Sequence, residues 1–206
     1  MGEQTLLAMQ TQAQKALAAG DWRGADTALT ALIVAFPGTP PGAASLLYNR
    51  GLVRKRLNRM AEALGDFDAA LSADPDHANA GFERSATLLD LGRVEEAERG
   101  FTEYLDRVPD DTDALLTLAR IRLRRGRPAE ARVLLDRMGP SSAGPAVTLA
   151  RAEALRDCGK IDEARALLAG LDGSDPAIAA ARLKIAIQGA TGRVPLDPAQ
   201  LFAPRR

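Results

Sequence analysis

The chain has 206 residues, with 27 Lys plus Arg against 27 Asp plus Glu and only 4% aromatic side chains. A formal net charge of zero speaks against a dedicated nucleic-acid binder, which needs surplus cation to release counterions from phosphates. One Cys and one His exclude an intrachain disulfide and a Cys/His zinc site, because each needs more ligands than the chain supplies.

The opening segment, MGEQTLLAMQTQAQ, lacks a basic stretch followed by an apolar core, so no secretory signal is read there. Its Met-Gly start carries Leu6 where myristoylation wants Ser or Thr. The longest apolar run, residues 28–36 (ALTALIVAF), is too short to span a bilayer. These features predict a soluble, cytoplasmic chain without membrane insertion.

From there the chain repeats itself. An alanine recurs as Ala25, Ala63, Ala97, Ala131 and Ala164, at spacings of 38, 34, 34 and 33. Twelve residues before each stands a small residue: Ala13, Gly51, Ser85, Ala119 and Ala152. Five before stands a turn residue: Gly20, Asn58, Gly92, Gly126 and Gly159. Four after comes a bulky apolar one: Leu29, Phe67, Phe101, Leu135 and Leu168. Twelve after, four of the five copies have Pro37, Pro75, Pro109 or Pro176. Two helices joined by a Gly or Asn turn approach closely only where the facing sites are small, and the bulky column fills the space beside that contact. Proline suits a first turn and cannot continue a helix interior.

The predicted repeats are residues 6–39, 44–77, 78–111, 112–144 and 145–178. Residues 40–43 read as an insertion, and 139–145 as an irregular joint. Residues 177–189 form one more amphipathic helix, suited to covering the last open face of a stack. Residues 190–206 hold three prolines and read as an extended tail with apolar Val194, Leu196, Leu201 and Phe202. Eleven helices and no strands are expected, with residues 1–189 forming one array.

A helix-turn-helix unit of 34 residues with these marks resembles the tetratricopeptide repeat. Its second half matches best; in the first half Leu47, Arg50, Gly51 and Arg54 stand where Trp, Leu, Gly and Tyr are typical. The resemblance covers about residues 6–178. It implies an all-α, right-handed superhelical solenoid whose first helices line a concave face where ligands lie. The chaperone carboxylate clamp found in some members is not matched: its five places hold Gln10, Gln14, Asn49, Asn79 and Glu83.

Two arginine-rich stretches, residues 50–59 and 120–127, fall at the ends of the first helices of repeats two and four. Cations there meet the negative end of the helix dipole. Glu62, Glu96, Glu130 and Glu163, each just before the repeating alanine, are expected to pair with such arginines on the neighbouring helix. Arg54 and Arg122 occupy the family's tyrosine column, and Arg50, Arg84 and Arg151 its leucine column. Either their stems pack while the guanidinium reaches water, or they form a ladder for an acidic partner.

The inner column implied by the resemblance reads Gln10, Tyr48, Phe82, Leu116, Leu149 and Leu183, flanked by Asn49, Leu52, Glu83, Leu89, Thr117, Arg120, Leu123, Arg124 and Glu153. An apolar floor with charged sides suits an extended peptide or amphipathic helix. Tyr48 and Phe82 are favoured as contacts because aromatics are scarce and bind partners effectively; Leu116 and Leu149 serve equally well as core. Cys158 and Trp22 read as packing residues, and His77 as a loop residue without a catalytic partner. Asp66, Asp68, Asp74 and Asp76 lack the ordered glycine-containing loop of a calcium site and read as helix caps and solvated charges. No nucleophile–base pair, phosphate-cradling loop or metal set is present, so neither catalysis nor a cofactor is expected. The expected role is a protein–protein scaffold or adaptor. The alternatives are homo-oligomeric assembly, or service as the accessory subunit of an enzyme complex.

Overall fold

The computed structural model describes residues 3–35, 42–139, 142 and 144–188. Among them are eleven α-helices and no strand: α1 (Glu3–Ala18), α2 (Trp22–Ala35), α3 (Ala43–Arg56), α4 (Met60–Ala73), α5 (Ala78–Asp90), α6 (Val94–Arg107), α7 (Thr112–Arg124), α8 (Pro128–Arg137), α9 (Pro145–Asp157), α10 (Ile161–Ala169) and α11 (Pro176–Gln188). The chain divides into two compact units, Met1–Pro109 and Asp110–Arg206. In the first, α1 packs on α2, α3 on α4 and α5 on α6, with α2 against α3 and α4 against α5. In the second, α7 packs on α8 and α9 on α10, and α11 lies against both α9 and α10. The tail, residues 190–206, lies outside the described residues, as do Pro37, Pro40 and Pro41.

The turn column explains why each pair reverses where it does. Gly20, Asn58, Gly92, Gly126 and Gly159 all have positive φ, between 60° and 81°. Each closes a Schellman motif. Its N–H bonds the carbonyl three residues back, and the next N–H reaches five back, as in Gly92 to Leu89 and Arg93 to Leu88. Only glycine occupies this region without a Cβ penalty, and asparagine tolerates it best among the others. Gly92→Val is therefore expected to lower stability by about 1–2 kcal/mol, while Asn58→Gly holds or raises it; urea unfolding of the two variants checks the pair.

Beyond each turn the second helix starts at one column: Trp22, Met60, Val94, Pro128 and Ile161. A cation just before it pairs with the glutamate three residues on. Arg59 bonds Glu62, Arg93 bonds Glu96 at 2.6 Å, Arg127 approaches Glu130 at 3.5 Å and Lys160 bonds Glu163 at 2.8 Å. The main partners of this glutamate column thus lie at the start of its own helix, not on the neighbouring one. A carboxylate in a first turn also meets the positive end of the helix dipole, and i,i+3 spacing puts the two side chains on one face. Arg54 and Arg122 add longer contacts from the neighbouring helix, at 4.0 and 3.6 Å.

The core consists of the predicted columns. All five marker alanines are fully buried, as are Phe67, Phe101 and Leu135, and Leu29 and Leu168 nearly so. The small column opposite permits this approach. A Cβ built on Gly51 would lie 2.6 Å from the Phe67 ring. In the second unit Ala152, Ala164, Leu168, Ala181 and Ile185 form one cluster, so α11 covers the open side of the last pair as expected.

Two second helices are short. α8 has 10 residues and α10 has 9, against 14 in α2, α4 and α6. α8 stops before Gly139, whose φ is 67°. The last carbonyls of a helix lack intrahelical donors, and at these two ends an arginine from the following first helix or from α11 reaches back to add to the turn bonds there. Arg151 donates to the Leu135 and Gly139 carbonyls at 3.0 and 2.8 Å, and Arg182 to those of Leu168 and Leu171 at 2.7 and 2.9 Å.

Candidate functional site

In the first unit the predicted contact residues gather on α3 and α5, which touch each other. Tyr48 is half-buried, its ring 6.1 Å from Phe67 and 4.9 Å from His77. Burial and the nearby Glu83 carboxylate push its phenol above the usual range. Asn49 and Leu52, on the same helix, are also half-exposed. Glu83 is bonded to Lys55 at 2.7 Å, an α3–α5 link. Phe82 packs edge-on against Phe101 and Tyr104 at 5.6 and 5.5 Å, so part of its ring belongs to the α5–α6 interior. His77 caps α5: its Nδ1 accepts the Ala80 N–H at 3.2 Å.

The arginine columns are engaged within the chain. Arg50 grips the Asp66 carboxylate with Nη2 at 2.6 Å and Nε at 3.0 Å, while Nη1 donates to the Thr30 hydroxyl. Arg54 bridges the same Asp66 at 2.9 Å and Asp26 at 3.0 Å. Arg59 also binds Asp26, at 2.5 Å. Arg84 bonds Asp68 at 2.6 Å, Arg122 lies by Glu130, and Arg151 holds the α8 carbonyls. Their stems do pack, and the heads meet carboxylates and carbonyls of neighbouring helices; the Arg84–Asp68 pair does so at the surface.

Asp66 departs from its predicted part as a helix cap or solvated charge. Its side chain is 4% exposed and accepts from two guanidinium groups. As the seventh residue of α4, one before the bulky Phe67, it faces inward; the crowd of aspartates around it hid that in the sequence. Asp68 and Asp76 meet Arg84 and Arg107, and Asp74 accepts the Asp76 N–H. Cys158 is the half-buried C-cap residue of α9, not part of the core, because it sits at the turn itself. Trp22 is partly exposed, with the Arg56 guanidinium 5.9 Å from its ring centre. Among the described residues no group of three or more His, Cys, Asp or Glu is placed to hold a metal.

Asp26, Arg54, Arg59, Glu62, Arg50 and Asp66 form one charged network across α2, α3 and α4. Burial alone would push the Asp26 carboxyl up, but hydrogen bonds from Arg59 and Arg54 outweigh it and hold it below its ordinary value of 3.8. A carboxyl depressed by folding contributes stability that is present above the unfolded value and lost as pH falls through the folded one. The wild-type unfolding midpoint is therefore expected to fall on acidification below about pH 4, and Asp26→Asn to flatten that fall. Urea unfolding between neutral and acid pH reads the difference.

A cleft of about 430 Å³ lies where the end of α4 meets α5 and α6. Its wall mixes His77, Arg84, Arg99 and Arg107 with Glu96 and Glu103, so it selects no ligand of one charge. In the second unit Leu116 and Leu149 are half-buried; Leu149 packs against the Ala152–Ala164–Leu168 cluster, partly as core. Arg120 and Arg124 are exposed on α7, and Glu153 is half-buried on α9. Among the described residues no helix is long and apolar enough to cross a membrane.

Models of the tetratricopeptide repeat match residues 11–78, 89–151 and 145–169. A DnaJ protein P58IPK homolog from Arabidopsis thaliana is 31% identical over 93 residues, covering 45% of this chain and 19% of that one. The chain spans less than a fifth of the length of the curated relatives it matches. A tetratricopeptide repeat protein from Parabacteroides merdae superimposes with a TM-score of 0.79 at 20% identity, over 90% of this chain and 73% of that one. MamA from Desulfovibrio magneticus RS-1 does so at 0.71 and 16% identity, over 82% and 93%. At these identities the structures show a shared fold.

Proposed function

From the premise that this chain belongs to the tetratricopeptide repeat family, whose fold is a scaffold for protein–protein contact, we propose that it is a non-catalytic adaptor. It binds a partner polypeptide along the first helices of its repeats. The observation that carries this reading is the division of labour between helices. The second helices bury their marker alanines completely and their bulky residues completely or nearly so. On α3 and α5, by contrast, Tyr48, Asn49, Leu52, Phe82 and Glu83 stay half-exposed on consecutive repeats. Aromatic rings held by packing and flanked by polar groups lose little freedom on binding.

Calorimetry with the partner recovered by co-purification tests it. Tyr48→Ala and Phe82→Ala are each expected to weaken binding by roughly tenfold or more, at unchanged stoichiometry. Intact affinity in both variants removes the proposal. Asn49→Asp, which leaves the packing of the rings alone, separates loss of contact from loss of fold.

Self-association is the second reading. It is favoured by two apolar side chains on the first pair, Leu7 on α1 at 64% exposed and Val34 on α2 at 72%. Sedimentation velocity over a concentration series is then expected to show a reversible oligomer that Leu7→Glu with Val34→Glu abolishes. A strictly monomeric wild type ends this reading.

A further inference from the structure

Of the arginines that the ion pairs leave unclaimed, two share one helix of the second unit. Arg120 and Arg124 stand exposed one turn apart on α7, and among the described residues no carboxylate pairs with either. One turn before Arg120 on the same helix is Leu116, half-buried. Leu149 on α9 and Leu183 on α11 follow at spacings of 33 and 34, also half-buried. α7 touches α9 and α9 touches α11, so the three leucines form a row across three neighbouring helices of one unit. The other charges of these helices are balanced or few. Asp113 lies in the first turn of α7, Arg156 is bonded to Asp157 at 2.7 Å, Glu153 acts on Arg156, and Lys184 is exposed on α11. Unpaired positive charge thus collects beside the apolar row, towards the C-terminal end of α7.

We propose that this face docks an acidic amphipathic helix of a partner protein. The proposal deepens the adaptor reading above and rests on it. Neighbouring packed helices lie about 8–10 Å apart, so successive leucines of the row are separated by about that distance. A helix laid across them rises about 1.5 Å per residue, and residues seven apart lie about 10.5 Å apart on one face. An extended strand covers the same distance in about three residues, which places successive anchors on opposite faces. The row therefore matches apolar side chains repeated every seven residues, with Asp or Glu on the flank that meets Arg120 and Arg124. Exposed arginines beside an apolar strip contribute register and partner choice more than raw affinity.

A displayed library of helical peptides tests this on the full chain. Apolar residues are fixed every seventh position and the flanking positions are randomised. Selection is expected to enrich Asp and Glu on one flank. Binding of the enriched peptides should weaken roughly tenfold or more in Arg120→Glu with Arg124→Glu, and by less in the Gln pair. Wild-type binding should weaken with added salt, and the Gln pair should lose that dependence. Both arginines are exposed, so thermal unfolding of the Gln pair should match wild type.

No enrichment, enrichment of basic or neutral flanks, or binding indifferent to both double substitutions overturns the proposal. Peptides that respond to Tyr48→Ala but not to the arginine substitutions overturn it while sustaining the broader adaptor reading. Single-stranded RNA bound more tightly than the peptides, through the same two arginines, reassigns the patch and overturns it as well.

Discussion

Phe67→Ala is expected to destabilise the first unit by about 3–5 kcal/mol. The ring is fully buried on α4, set against Gly51 of α3 and beside Tyr48. Truncation removes its transfer energy and leaves a cavity that helices pinned by the Arg50–Asp66 and Arg54–Asp66 pairs cannot close. Against a typical domain stability of about 5–15 kcal/mol, the loss is large enough to unfold this part selectively. Repeat arrays do not always unfold as one. Amide hydrogen exchange should therefore show α3 and α4 losing protection first, ahead of α9 and α10. The opposite error, Gly51→Ala, overfills the same contact and should cost about 1–3 kcal/mol. Combined with Phe67→Leu, which makes room, it should cost less than the sum of the two changes.

Asp66→Ala ranks next. It strips one acceptor from two guanidinium groups at once, each only 14% exposed. Removing one partner of a buried ion pair costs about 3–5 kcal/mol, because the remaining charge is stranded. Here Arg50 keeps Thr30 and Arg54 keeps Asp26, so the expected loss is about 3 kcal/mol, read by urea unfolding. The triple change Asp66→Leu, Arg50→Met, Arg54→Met replaces charge with packing and should recover much of it. A loss from Asp66→Ala no greater than that from Asp68→Ala, whose pair lies at the surface, would show that the network contributes no more than surface ion pairs.

The repeat was legible because its marks are backbone and volume requirements. A left-handed turn demands Gly or Asn, and a close helix crossing demands a small residue, so both leave fixed letters at fixed spacing. All five turn residues do adopt positive φ, and all five marker alanines are buried. Charge was less legible. Arg50, Arg84 and Arg151 share a column, yet their partners differ: Arg50 meets Asp66 of the following helix and Thr30 of the preceding one, whereas Arg84 and Arg151 meet groups of the preceding helix and its end. Asp26 and Asp66 carry no local signal of pairing with Arg54, since 28 and 12 residues separate them from it. A periodic reading sees columns; it does not see which long side chain turns towards which neighbour. For the same reason Arg120 and Arg124 could not be told from the engaged arginines before the pairs were known.

The backward reach of Arg50, Arg84 and Arg151 bears on how such a chain can be re-engineered. Each meets a different chemical group: the Thr30 hydroxyl with Asp66, the Asp68 carboxylate, and the helix-end carbonyls of Leu135 and Gly139. Each junction therefore has its own complement, and neighbours are not interchangeable even where their helices superimpose. Transplanting the fourth pair behind the second would set Leu118, which holds this column in α7, against Asp68 and leave that carboxylate without its arginine. Consensus shuffling of these modules would need to carry the arginine and its acceptor together, as one inherited unit straddling the boundary.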